Sequence, residues 1–214
     1  MPCGVLTGAG VVARQFGFAG GEELAVFGVG AVGLSAVMAA RKLGAKSILA
    51  VDVKPSRLAL ARELGATHVI NPAQETDSVA SIERHFPRGL PFVIDTSGNA
   101  TALQSATRIL RTGARFAVCI LPSPMEKFQF QPFDWFVRAA TMEAVSFGNA
   151  DAREFLPHLL SWYEAGEFPV DRLVTVFPYT QLNEAVEAAI GGDVIKPVLD
   201  YRSASEKVSQ RSLP

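Results

Sequence analysis

The sequence predicts an α/β fold: a Rossmann-type, doubly wound parallel sheet with helices on both faces. Three observations predict it. Apolar, β-branched runs of strand length alternate with amphipathic stretches of helix length. The runs hold few polar residues, as strands buried on both faces require, and 49% of the 214 residues are hydrophobic against 19% charged. A glycine-rich turn also stands where the first strand gives way to a helix, in "LAVFGVGAVGLSAV", Leu24 to Val37.

The elements follow in order. Gly4 to Phe16 reads as a loop running into a short helix. "EELAVFGVG" is a strand by its apolar run, and "AVGLSAVMAARKLG" a helix stopped by Lys42 and Gly44. "KSILAVDV" is the second strand, and "KPSRLALARELG" the second helix, with Pro55 in its first turn and Gly65 at its end. "THVIN" is a short third strand, Asp77 to Phe86 a helix, and "PFVIDTSGN" a fourth strand. "ATALQSATRILRTG" reads as one helix and "ARFAVCIL" as the fifth strand. A loop with Pro122, Pro124 and Pro132 leads through a short helix to a sixth strand, "TMEAVSFGN". Beyond Gly148 the rhythm changes to helix, extended segment, helix and a final strand, "VIKPVLDY", before a polar tail.

Net charge is −1, with no basic stripe, so no nucleic-acid partner is expected. Cys3 and Cys119 form no CxxC pair and no disulfide framework, which fits a reducing compartment. No leader pattern and no apolar run of membrane-spanning length is present, so a cytoplasmic protein without a membrane span is expected.

"GVGAVG" sets Gly28, Gly30 and Gly33 at G-x-G-x-x-G spacing. In a dinucleotide site, Gly28 permits the tight turn, Gly30 lets backbone approach a pyrophosphate, and Gly33 lets the helix pack close to the strand. The amides of Val29, Ala31 and Val32 and the positive end of the helix would then face the phosphates. Three glycines could also serve packing alone. The context favours the nucleotide, because Asp52 closes the next strand, 19 residues after Gly33, where an acid accepts the ribose hydroxyls. A carboxylate there repels a 2′-phosphate and favours NAD over NADP, while Lys54 and Arg57 soften that choice.

"PCGVLTGAG", "AVFGVGAVGLSAVMAARKLGAKSILAVDVKPSRLALARELGATHVIN" and "GGDVIKPVL" resemble the medium-chain, zinc-dependent alcohol dehydrogenases, the aryl-alcohol (benzyl-alcohol) type most. The resemblance implies an NAD-binding Rossmann domain at 5–147 and a segment of the catalytic-domain fold at 148–200, and the polar composition of 201–214 reads as a disordered tail. It implies that Thr7 packs against the nicotinamide and that Thr96, Ser97 and Gly98 lie near the adenosine ribose. Ile120, Val145 and Phe147 would approach the nicotinamide, and Lys196 the pyrophosphate. Cys3 stands where the family places a catalytic-zinc ligand. Cys119 stands where a glycine is usual, and could crowd the ring.

The family's first half has no counterpart in this sequence, so the other zinc ligands and the start of a proton relay are expected to be missing. Zinc needs three protein ligands and an open position. His68, His85 and His158 lack ligand spacing and read as structural or surface residues. No residue is therefore assigned as catalytic, and Cys3 is a ligand only if the missing domain is supplied. The function expected is NAD(H)-dependent alcohol–aldehyde interconversion by a truncated oxidoreductase acting on a small-molecule alcohol. The alternatives are a stand-alone NAD-binding module or pseudoenzyme, or a subunit completed by another polypeptide. The final strand is expected to lose the sheet neighbours that the missing half would supply, leaving an unpaired edge, and the sixth strand to pair two copies edge to edge.

Overall fold

The computed structural model describes residues 3–120, 127, 129, 131–192 and 194–202. Pro122, Pro124 and the tail beyond Arg202 lie outside the described residues. The chain divides into two compact units, Met1–Phe168 and Pro169–Pro214.

The first unit contains α1 (Cys3–Gly10), β1 (Glu23–Phe27), α2 (Ala31–Lys42), β2 (Ser47–Val51), α3 (Pro55–Leu64), β3 (His68–Ile70) and α4 (Ser78–His85). It continues through β4 (Leu90–Asp95), α5 (Ala100–Arg108), β5 (Leu110–Val118), α6 (Pro132–Arg138), β6 (Thr141–Ala144) and α7 (Ala152–Glu164). Six strands, paired in parallel throughout, run in the order β3-β2-β1-β4-β5-β6. This is the expected doubly wound sheet.

Both faces of β1 are buried. Ala25 and Phe27 join a core with Leu49, Val51, Val93 and Phe116, closed by Ile82 of α4 and Leu103 of α5. Leu24 and Val26 point the other way by the pleat, and are also fully buried. Helix starts follow their capping chemistry. Asp77 accepts the Val79 and Ala80 amides ahead of α4, and Asn99 accepts the Ala102 amide ahead of α5.

Two expected elements are corrected. Gly4 to Phe16 is no loop: α1 starts at Cys3, and a single wider π turn, Val11–Gln15, extends it. Its glycines suggest a loop, but they let it pack. A Cβ on Gly8 would lie 2.0 Å from the Val32 carbonyl of α2, so the two helices meet at backbone distance. Tertiary burial outweighs the weak helix propensity of glycine here. The helix expected over 100–113 ends at Arg108, five residues short of Gly113, and β5 already begins at Leu110. Leu110 pairs with Leu90, and the ladder then shifts register before Phe92 meets Arg115. Gly113, at φ +71°, belongs to that irregularity rather than to a helix end.

In the second unit, β7 (Val174–Pro178), α8 (Leu182–Gly191) and β8 (Lys196–Asp200) form a parallel two-stranded sheet with its crossover helix. Val198 pairs opposite Val176 of β7, and β8 pairs with no other strand among the described residues.

Candidate functional site

The strand order reverses at β1, whose neighbours β2 and β4 lead away in opposite directions. In open parallel sheets the crevice at such a point, outside the carboxyl ends of the strands, is where ligands bind. A cleft of about 760 Å³ opens there. Gly28, Gly30, Asp52, Arg57, Thr96 and Ser97 line it, together with the start of α4 and one face of α5.

The three glycines of the turn have three different reasons. Gly28 has φ +83°, and a Cβ there would lie 2.7 Å from the Ser97 nitrogen. A Cβ on Gly33 would lie 2.0 Å from the Gly28 carbonyl oxygen. The fold itself therefore requires both. A Cβ on Gly30 would meet nothing within 4 Å. The packing of the chain gives no reason for Gly30 to lack a side chain; what its absence does is leave room in the cleft.

Asp52 follows β2 directly and is 8% exposed. Its Oδ2 accepts the Val29 amide at 2.8 Å and its Oδ1 accepts the Lys54 amide at 2.9 Å. Arg57 Nη1 lies 3.9 Å from Oδ2, and Arg57 Nε is buried with no hydrogen-bond partner among the described residues. The carboxylate is thus clamped from the protein side by two backbone donors. The Val29 amide is spent on Asp52 and the Gly28 amide on the Val51 carbonyl. The first intrahelical bond of α2 runs from Leu34 to Gly30, so among the described residues the Ala31, Val32 and Gly33 amides are first-turn donors without an intrahelical partner.

Across the cleft, the Thr96 hydroxyl donates to the Gly28 carbonyl at 2.5 Å. Ser97 and Gly98 close the same turn, Gly98 with φ +63°. The other expected residues stand elsewhere. Val29 is fully buried, and Thr7 is buried inside α1. Val145 is buried and extends the β5–β6 ladder, its amide 2.9 Å from the Val118 carbonyl. Ile120 and Phe147 are exposed. None of these five lines the cleft. Lys196 opens β8 in the second unit, and Cys3 is exposed at the start of α1.

Sequence reasoning missed several cleft residues. Thr101, Ser105 and Arg108 of α5 line it at i, i+4 and i+7, a spacing visible in the sequence. Asp77 lines it as well, its carboxyl held below the usual range first by the Ala80 amide. Asp95, fully buried at the end of β4, is a further residue that the sequence alone does not single out.

The family model for zinc-binding dehydrogenases matches residues 31–163, more than half of the chain. The chain belongs to the zinc-binding dehydrogenase family. It is 38% identical over 199 residues to a geraniol dehydrogenase of Castellaniella defragrans, a match covering 93% of this chain and 53% of that protein. Among solved structures, an alcohol dehydrogenase zinc-binding domain protein from Burkholderia ambifaria superposes with a TM-score of 0.88 at 38% identity, covering 92% of this chain and 53% of that one. A benzyl alcohol dehydrogenase from Acinetobacter calcoaceticus gives 0.88 at 34% identity, covering 92% and 54%. The chain spans about half the length of the relatives it matches.

The family implies zinc, and the donors present here do not fit it unaided. Among the described residues no three His, Cys, Asp or Glu side chains gather. His68 and His85 do come together, with ring centroids 5.1 Å apart, and Phe86 packs edge-on against His68. His158 lies on α7. No helix among the described residues is long and apolar enough to cross a membrane.

Proposed function

We propose that this chain supplies the dinucleotide-binding half of an NAD(H)-dependent alcohol dehydrogenase. The observation that carries the reading is the clamped Asp52 carboxylate, set beside Gly30 in the cleft at the strand-order reversal. Held by Val29 and Lys54, its oxygens keep lone pairs for the two hydroxyls of an adenosine ribose. Its charge disfavours a 2′-phosphate, so NAD is preferred to NADP. The open space at Gly30 admits a pyrophosphate, and the first-turn amides of α2 donate to it with the helix dipole behind them. Arg57 adds a cation and a free Nε donor at the ribose end.

When bound, the dinucleotide supplies a nicotinamide that accepts or returns a hydride. The reading places Thr96, Ser97 and Gly98 beside the ribose. It assigns Thr7, Ile120, Val145 and Phe147 to the nicotinamide side and Lys196 to the pyrophosphate. It treats 5–147 as the dinucleotide domain and 148–200 as part of the catalytic-domain fold. The names of the geraniol and benzyl alcohol dehydrogenases support an allylic or aromatic alcohol as substrate. Cys3 serves as a zinc ligand only in company with further donors, which do not gather with it among the described residues. The outer edge of β6, with Met142 exposed, offers backbone for pairing with a second copy. A cytoplasmic location fits the two free cysteines.

The test has two parts. Titration of the 214-residue chain with NADH and NADPH, followed by nucleotide fluorescence, should give saturable NADH binding and weaker NADPH binding; no binding of either overturns the cleft assignment. The polypeptide isolated from its source cells should reduce NAD with geraniol or benzyl alcohol. NADH binding without alcohol turnover in that material would instead favour a stand-alone binding module.

A further inference from the structure

Asp95 ends β4 fully buried, and the proposed contacts to the dinucleotide do not use it. A buried carboxylate is costly unless its oxygens are hydrogen-bonded. Its Oδ1 accepts the Ser97 hydroxyl at 2.6 Å and the Ser97 amide at 3.4 Å, and its Oδ2 accepts the Gly98 amide at 3.3 Å. All three bonds stay within the turn that follows it. Cys119 faces it from the end of β5, its amide donating to the Asp95 carbonyl at 2.9 Å. Burial pushes the Asp95 carboxyl upward, and the bonds from Ser97 and Gly98 oppose that shift.

The turn Asp95 organises is the wall behind the glycine motif. Thr96 is tied to the end of β1 by its amide, which donates to the Phe27 carbonyl at 2.7 Å, and to the glycine turn by its hydroxyl, which donates to the Gly28 carbonyl at 2.5 Å. Gly28 lies so close to Ser97 that an added Cβ would fall 2.8 Å from the Ser97 Cα. A Cβ on Gly33 would fall 3.0 Å from the Thr96 hydroxyl. A shift of the Thr96–Gly98 turn therefore moves the Gly28 carbonyl, and with it the entry to α2.

We propose that Asp95 is a positioning residue for the dinucleotide: its carboxylate fixes the Thr96–Gly98 turn, and that turn holds Gly28 where the phosphate-facing backbone needs it. The inference rests on the reading of the cleft as a dinucleotide site. Asp95 itself touches no cofactor in this scheme, because it is fully buried and does not line the cleft. An amide in its place has one acceptor oxygen, and its NH₂ would oppose one of the donors that the carboxylate now satisfies.

The test compares NADH affinity and thermal midpoint for the 214-residue chain, D95N, T96V and the double variant. The wild-type chain binds NADH, and D95N and T96V each weaken binding about 10-fold, as loss of a charged or buried hydrogen bond does. The double variant is expected to bind no worse than the weaker single one, because both changes release the same turn. Unchanged NADH affinity in folded D95N overturns the inference, even if its midpoint falls, because Asp95 is then a stability residue only. Losses that multiply in the double variant also overturn it. If D95N does not fold, S97A removes the shortest bond to Asp95, and an unchanged affinity in S97A overturns the inference in the same way. Failure of the wild-type chain itself to bind NADH is distinct, and brings down the dinucleotide reading together with this inference.

Discussion

The Val29 amide points at the Asp52 carboxylate, N to Oδ2 2.8 Å, so the glycine turn and the end of β2 are one hydrogen-bonded unit. The contact turns an inward-facing donor of the turn away from any phosphate and uses it to aim the acid. Asp52→Asn keeps the shape and one oxygen but loses the charge. It should weaken NADH binding about 10-fold and narrow the preference over NADPH, since the repulsion of a 2′-phosphate is gone. Parallel fluorescence titrations with both nucleotides check this; an unchanged ratio of the two affinities would show that Asp52 does not face the ribose.

Gly30 and Gly33 should respond in opposite ways to the same substitution. A methyl group at Gly33 collides with the Gly28 carbonyl at 2.0 Å, so Gly33→Ala should cost about 1–3 kcal/mol of stability. For a chain of this size that lowers the melting point by roughly 2–4 °C per kcal/mol. A methyl at Gly30 meets open space, so Gly30→Ala should leave stability within about 0.5 kcal/mol of wild type. Its effect should fall on NADH affinity, because it occupies room that backbone alone leaves for the pyrophosphate. Melting curves and titrations of the two variants separate the cases, and a Gly30→Ala chain with full NADH affinity counts against a phosphate beside Gly30.

The order of strands and helices was legible because each buried strand is an apolar run punctuated by glycine, proline or a cap, as at Pro55 and Asp77. What misled was local ambiguity resolved only by distant contacts. Gly8 and Gly10 look like loop residues until α2 and the Gly148 backbone are seen to press on them. Leu110 to Gly113 continue a helical pattern until Leu90 claims Leu110 as a strand partner. In the candidate site, the glycine spacing and Asp52 carry their own signal. Asp95 does not, since an acid at the end of an apolar strand shows its role only when the turn it binds is seen against Gly28.

Arg115 of β5 grips Glu143 of β6 through two contacts, 2.7 and 2.8 Å, and the same carboxylate accepts from Gln15 in the π turn. The guanidinium also reaches the Phe16 carbonyl at 3.1 Å. The Arg115 bonds, first of all, hold the Glu143 carboxyl below its ordinary 4.5. A depressed acid contributes stability that is full above its unfolded value and is lost as pH falls through its folded value. Wild-type stability should therefore decline below about pH 4.5 in part through this group. Glu143→Gln should flatten that segment of the curve while costing about 1 kcal/mol near neutral pH, as expected for a partly exposed pair. Urea midpoints across the acid range measure both effects, and parallel curves for the two proteins would show that Glu143 contributes nothing to the acid decline.

His68 and His85 work in the opposite sense to a stabilising ion pair. Burial first, and then the neighbouring His85 charge, lower His68 from its ordinary 6.5, with Glu23 opposing them. The folded chain thus prefers the neutral ring, and the unfolded chain takes up the proton more readily. The stability contribution is full above 6.5 and falls as pH drops through the lower folded value. Replacing His85 by Gln removes one source of repulsion, so the loss as pH falls below 6.5 should be smaller than in wild type. NMR titration of the His68 ring gives a direct reading, and an identical His68 titration in the variant would show that His85 exerts no charge on it.

The two thiols should differ sharply in reactivity. Cys119 is half-buried, and burial first and the Asp95 charge second push its thiol up to about 12. Only the thiolate attacks alkylating reagents, so at neutral pH Cys119 offers almost none of the reactive form. Cys3 is exposed at the start of α1. Iodoacetamide should therefore label the folded chain once, at Cys3, and reach Cys119 only after denaturant is added. Peptide mapping identifies the labelled sulfur. Fast labelling of Cys119 in the folded chain would mean that its pocket is open to solvent and that its thiol is not suppressed by burial. Slow labelling would leave Cys119 as an inert side chain beside the Asp95 turn.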